Sequence, residues 1–323
     1  MSFETLPDDI LIRLLKETSP RDVARLKRVN RRTNHIAERY NLGRPVVDEF
    51  SLKMRTSPPA TVGRLRLGPM KTESKKKIVV TMRRKNKVKE VEAIPSCSTS
   101  EPTPSDLVRN EMKKVVLNEK LSFDGIKIDT DFYRALTARW NDLKKVTHLN
   151  LTFCQIDLTP QQFADLVSRM SLKQLFIEFC TMDQTLLSDK VFECLHDIEC
   201  IKIQPRGVAV FSQLTDATLT HWATNKLPTT INFYNCYVGW SVDGVRRLMH
   251  SAIIKDFEQF EWDFGMIHEM AHVGSVLLNL VFSPGLALSV QDDFQARLIT
   301  LRSVKNKFQV RFSIPIRRIE TTM

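Results

Sequence analysis

The sequence predicts an α/β protein in two unequal parts, a short helical module at the N-terminus and a long run of alternating strands and helices. Three observations predict it. Residues 6–33 carry helix-start signals with helical apolar spacing. A strand motif recurs about every 26 residues from 146 onward. Residues 294–316 then switch to period-two alternation, a strand–turn–strand signal. With 323 residues, 42% apolar and 26% charged, the chain has material for a sizeable core and two structural units.

The N-terminal signals read Leu6-Pro7-Asp8-Asp9-Ile10-Leu11, then Leu14-Leu15, then Ser19-Pro20-Arg21-Asp22-Val23, then Leu26-Lys27-Arg28-Val29-Asn30-Arg31-Arg32. Pro7 and Pro20 stand where helices begin, because Pro at the first helical position gives up an amide that lacks a partner there. Ser19 is a ready N-cap, and Asp8, Asp9 and Asp22 favour positive helix ends. Two or three short amphipathic helices follow from this. They are too small to bury all their apolar surface among themselves, so part of it is expected to face a partner.

Residues 3–43 resemble an F-box, the module of roughly forty residues that docks onto the Skp adaptor of cullin–RING ubiquitin ligases. The leading Leu-Pro, the aliphatic pair, the Ser-Pro-x-Asp and the Leu-x-x-Val-Asn-Arg-Arg run carry the resemblance; Thr33 departs from it, where the family often has Trp. The resemblance implies a helical domain over 1–45, with adaptor contacts on Leu6, Pro7, Ile10, Leu14, Pro20, Leu26 and Val29.

Residues 46–110 read as a linker or insertion. The net charge is +11, of which +8 lies in 71–89 and +3 elsewhere, so the basicity is local. Lys75 to Lys89 mixes charge with a β-prone core and has the pattern of a hairpin turning near Arg84 to Asn86. It reads as a solvated insertion, a nuclear localisation signal or a patch for an acidic partner. No aromatics interleave it, so nucleic-acid binding is not expected. Residues 95–105 have the composition of a disordered loop.

Over 111–290 the repeat has the form apolar-x-x-L-x-L-x-x-C-x-apolar. It appears at Val146–Ile156, Leu172–Met182, Ile198–Ile203, Ile231–Val238 and Phe257–Ile267, with weaker members at Leu65-Arg-Leu67 and Val115-Val-Leu117. Helical patterns intervene at 129–143, 160–170, 184–195, 216–225, 241–253 and 266–281, with Thr159, Asp216 and Ser241 as caps. Strand–helix units at this period resemble a leucine-rich-repeat solenoid, with Cys154, Cys180 and Cys236 as buried core in the Asn/Cys slot. The third member has Arg206 in that slot. A generic α/β domain with parallel strands is the competing fold. Strand alternation then exposes one face: Asn150, Thr152, Phe176, Glu178, Lys202, Gln204, Asn232, Tyr234, Glu261 and Asp263, the candidate substrate-binding residues. A C-terminal β-hairpin over 291–323, turning at 305–307, is expected to cap the repeat.

Several chemistries are disfavoured. The six cysteines contain no C-x-x-C, so neither a zinc finger nor any other metal site or cofactor is expected. His268-Glu269-Met270-Ala271-His272 has the H-E-x-x-H form of zinc hydrolases, yet Ser275 and Leu278 stand where an extended motif needs Gly and His. There is no G-x-S-x-G and no P-loop. No secretory signal or membrane span is evident, so reduced thiols in the cytoplasm or nucleus are expected. The reading is a non-enzymatic substrate receptor that binds a Skp-type adaptor, and through it a cullin ligase, while its repeats hold a target protein. The alternative is a repeat scaffold that binds a protein or a nucleic acid without ligase coupling.

Overall fold

Helix-start chemistry sets the first three elements: α1 (Asp8–Glu17), α2 (Pro20–Val29) and α3 (Arg31–Arg39). The computed structural model describes residues 6–40, 42–56, 76–93, 103–138, 143–255, 259–267, 286–292, 296–303 and 308–315. Pro7 is the N-cap of α1 and not its first helical residue. Ser19 Oγ accepts the Asp22 amide at 3.2 Å, and Pro20 opens α2. Asn30 caps α3, its Oδ1 accepting the Arg32 and Thr33 amides at 2.8 and 3.1 Å. The three helices enclose a small core of Leu11, Leu15, Val23, Ile36 and Ala37.

The chain continues through β1 (Val46–Thr56), β2 (Lys76–Arg84), β3 (Lys87–Ala93), α4 (Pro104–Met112), β4 (Val116–Asp124), β5 (Lys127–Ile128) and α5 (Thr130–Thr137). Next come β6 (His148–Thr152), β7 (Gln155–Ile156), α6 (Pro160–Ser168), β8 (Gln174–Met182), α7 (Asp189–Glu193), β9 (Cys200–Pro205) and β10 (Ala209–Phe211). The remainder is α8 (Asp216–Thr224), β11 (Thr230–Phe233), β12 (Cys236–Val238), α9 (Val242–Ile254), β13 (Phe260–Ile267), β14 (Leu286–Asp292), β15 (Ala296–Ser303) and β16 (Phe308–Pro315).

These strands build one large mixed sheet, ordered β14-β15-β16-β13-β11-β9-β8-β6-β4-β1-β2-β3. From β1 to β16 every neighbouring pair along this path is parallel; β2–β3 and β14–β15 extend the two ends antiparallel. Helices α4 to α9 pack on one another in chain order. Their inward residues, among them Phe132, Phe163, Phe192, Trp222 and Leu248, share one core with Leu121, Leu149, Leu175, Ile201, Ile231 and Trp262 of the strands. Parallel strands joined by crossover helices give this layered arrangement, with strand side chains alternating between the core and the opposite face. The described residues therefore form a mixed α/β protein: a helical N-terminal part and an open sheet.

Several expectations change in detail. The segment read as linker supplies β1, β2, β3 and α4, with the hairpin turning at Lys85-Asn86. Thr103, at the end of the presumed loop, is the N-cap of α4 in a capping box with Asp106; residues 95–102 lie outside the described residues, as do Leu65 and Leu67. The first repeat strand is read from Leu121 and Phe123, which pair with Leu149 and Leu151, and not from Val115 and Leu117. Helix α7 is shorter than expected, since 184–188 form a turn, and α5 ends at Thr137. Thr215 caps α8 and Asp216 is its first residue. Cys180 pairs with buried Pro205, so Pro205 fills the slot assigned to exposed Arg206. Met266 and Ile267 end β13 where a helix was expected to start; the rest of that helix, including the H-E-x-x-H string at 268–272, lies outside the described residues. At the C-terminus three strands replace the hairpin, and the last, β16, joins β13 in parallel.

Candidate functional site: a helical face and a strand face

The first surface is built by α1 to α3. Val23, Leu11 and Leu15 turn inward, which leaves Ile10 and Leu14, one turn apart on α1, 46% and 44% exposed. Val29 at the end of α2 is 84% exposed. Of the other candidate contacts, Pro7 is exposed, Leu6 and Pro20 are half-buried, and Leu26 packs against the helical core. Arg32 fixes the start of α1: its guanidinium donates to the Leu6 carbonyl at 2.7 Å and to Asp8. The sequence reading recorded Arg32 only as part of a motif; its contact spans 24 residues to Asp8 and leaves no local pattern.

The second surface is the sheet face opposite the helices. Ladder register puts Asn150, Phe176, Lys202, Asn232 and Asp263 in one row across β6, β8, β9, β11 and β13. The row continues to Ser122 and Ser51 on one side and to Arg311 on the other. Thr152, Glu178 and Gln204 form the next row. Glu261 aligns with Thr230 and Cys200, one row away from Asp263. Pairing of Trp262 with Ile231 sets this register, which differs by two residues from the one the repeat motif implied. Phe260, Trp262 and Phe264 are all buried at period two, so the pattern alone fits either alignment; the Trp262 indole, donating to the Pro228 carbonyl at 2.8 Å, anchors the observed one. Tyr234 lies just beyond β11 and is exposed.

A family model of the F-box domain matches residues 3–45. The match ends one residue before β1 begins. Comparison with curated proteins gave no match. Three F-box helices thus lead directly into the parallel sheet, joined by the Val116 amide donating to the Pro45 carbonyl and by Arg44 donating to the Val115 carbonyl at 2.9 Å.

Electrostatics divide the sheet face. At the β1–β3 end, Arg83 and Lys120 both meet Glu49, Arg55 meets Glu90, Lys77 meets Glu92 and Lys53 meets Asp124, all at 3.3–3.8 Å. Part of the basic run is therefore neutralised by cross-strand acids. At the other end, burial pushes the Asp263 carboxyl up, while Arg311 at 3.5 Å opposes the rise. On the row between, the Lys202 ammonium sits over the Phe176 ring at 5.2 Å. Among the described residues no cluster of three metal-ligating side chains occurs, and no helix is long and apolar enough to cross a membrane.

Sequence reasoning missed one feature of the strand ends. Phe153 and Phe179, each just before its repeat cysteine, hold left-handed φ angles of 53° and 55°. Their rings stack with centroids 5.2 Å apart and planes 15° apart. The motif gave the residue before Cys no role, so no signal marked either phenylalanine.

Proposed function

We propose that this protein is the substrate-recognition subunit of a Skp–cullin–F-box type ubiquitin ligase. The F-box would bind the Skp-type adaptor, and the strand–helix body, read as a leucine-rich-repeat-like solenoid, would present its polar face to a target protein. The single observation that carries the reading is the F-box match at 3–45, whose helices leave Ile10, Leu14 and Val29 exposed. Aliphatic side chains left in water on a small helical domain are what a docking partner would cover. Catalysis on such an assembly comes from holding the target near the transfer machinery, which raises effective concentration, so no residue of this chain need act chemically. This reading places the protein in the cytoplasm or nucleus, where such ligases work.

Co-purification with a Skp-type adaptor tests it. The wild-type chain is expected to retain the adaptor, and Ile10→Asp/Leu14→Asp to lose it with unchanged circular dichroism, since neither side chain belongs to the helical core. Equal retention by both proteins would sink the claim that Ile10 and Leu14 dock the adaptor, and failure of the wild-type chain to retain it would put the scaffold without ligase coupling in its place.

A further inference from the structure

Just after the parallel strands β4 and β11, and inside β13, the chain takes one left-handed residue, whereas β9 is followed by none. These residues are Gly125, Asn235 and Gly265, with φ angles of 70°, 58° and 67°; Gly and Asn adopt that conformation at little cost. Phe153, just after β6, and Phe179, inside β8, take the same conformation. Bulky side chains are disfavoured there, and these two rings add nothing to the core, being 61% and 39% exposed. Two residues thus combine backbone strain with exposed apolar surface, a pairing found at functional sites.

The surroundings indicate an occupant. The stacked rings cover each other on one side only. In the preceding turn the slot holds Gly125, and a Cβ built there would meet only Met54, so no side chain from that slot shields Phe153. Residues 124–128, 152–157 and 178–183 carry the acids Asp124, Asp157, Glu178 and Asp183. Lys53 pairs with Asp124 and Lys127 with Asp157, which leaves Glu178 and Asp183 as the acids without a base among the described residues. This acidic rim sits in a chain whose net charge is +11. On the same sheet the protein's own Lys202 already occupies the face of Phe176, while among the described residues no cation covers Phe153 or Phe179.

We propose that the Phe153–Phe179 pair is a docking point for an arginine or lysine side chain of a basic peptide segment, held by cation–π contact and by the acidic rim. The inference deepens the receptor reading and rests on it: it names the chemistry of the target segment.

Calorimetric titration of the full-length protein with three twelve-residue peptides, (Arg-Gly)6, its citrulline counterpart and (Glu-Gly)6, tests the proposal. The arginine peptide is expected to bind, at least tenfold more weakly once citrulline removes the charge, and more weakly as salt rises; the acidic peptide is expected not to bind. Phe153→Gly/Phe179→Asn installs the residue types that neighbouring turns use. It should weaken arginine-peptide binding at least tenfold with a thermal midpoint equal to or above wild type, and Glu178→Gln should weaken binding severalfold. Equal binding by wild type and the double variant would overturn the proposal, as would equal binding of the citrulline peptide, which would make the rings a neutral apolar site. A fall of several degrees in the midpoint would assign the rings to the fold, and a wild-type dimer lost in the variant would assign them to a second copy. None of these measurements involves the adaptor, so their failure leaves F-box docking intact, and the reverse holds too.

Discussion

Single residues set local limits that chemistry makes measurable. Gly265 has a φ of 67°, and a Cβ there would lie 2.4 Å from the Phe233 carbonyl oxygen and 2.6 Å from that of Cys236. Backbone cannot yield as a side-chain end can, so Gly265→Ala is expected to cost roughly 2–4 kcal/mol, read as a shift in urea midpoint. Asp165 offers a pH-dependent case. It accepts from Arg169 Nε at 2.6 Å and Nη2 at 2.9 Å, and from the Tyr133 hydroxyl. Arg169 first, and Tyr133 after it, hold the carboxyl below the usual carboxylate range against the opposing effect of burial. A depressed folded-state pKa contributes stability that is present above the unfolded value, near 4, and lost as pH falls through the folded one. The Tm gap between wild type and Asp165→Asn is therefore expected at pH 7 and should close as the pH is lowered through about 4 and below. A gap that stays constant with pH would show that the charge is not its source.

Elements in this fold are tied to their neighbours by a device the sequence half revealed. Asp189, in the first turn of α7, accepts from the amide and hydroxyl of Thr215, the cap of α8, at 2.9 and 2.6 Å. One repeat later Asp216, first in α8, accepts from the amide and hydroxyl of Ser241, the cap of α9, at 2.8 and 2.6 Å, and from Arg247 at 3.0 Å. Read locally, an Asp at a helix start is a cap; here it stabilises the next helix's cap instead. Removing it in Asp216→Ala should cost on the order of 1–3 kcal/mol, because the Ser241 amide and hydroxyl lose their acceptor together, while Arg247 keeps Asp243 at 3.4 Å; thermal denaturation measures it. The same contrast explains what else was legible. Cys154, Cys180 and Cys236 and the paired aliphatics of each strand follow a fixed spacing, so their burial could be read directly. Where apolar residues run on, as at Phe260 to Phe264, period two admits more than one register. The joining of β16 to β13 and the role of Arg32 depend on partners far along the chain, which no window of sequence contains. For the strand face, the row from Asn150 to Asp263 was legible through alternation, whereas Arg311 and the Phe153–Phe179 stack were not.

At the scale of the whole molecule, the described residues contain two apolar cores of very different size. One runs through the entire sheet and its helices; the other is the small F-box core of Leu11, Leu15, Val23, Ile36 and Ala37. A core of five buried side chains is small for three helices, so little apolar burial stands against the entropy of ordering them. The F-box is then held largely by its continuity with β1 and by the Arg44 and Pro45 contacts to the start of β4. Local opening free energy should differ accordingly: amides of α1–α3 are expected to exchange with solvent orders of magnitude faster than those of β6, β8 and β9 at the centre of the sheet. An adaptor that binds the closed helices at one hundred times its Kd would add about 2.7 kcal/mol to their stability and slow exchange there about a hundredfold, leaving the sheet unchanged. Hydrogen exchange followed by mass spectrometry, with and without a Skp-type adaptor, reads both effects at once. Protection that rose across the sheet instead would mean that the adaptor grips the body of the protein, and the division of labour between a docking helical end and a target-holding sheet would fail.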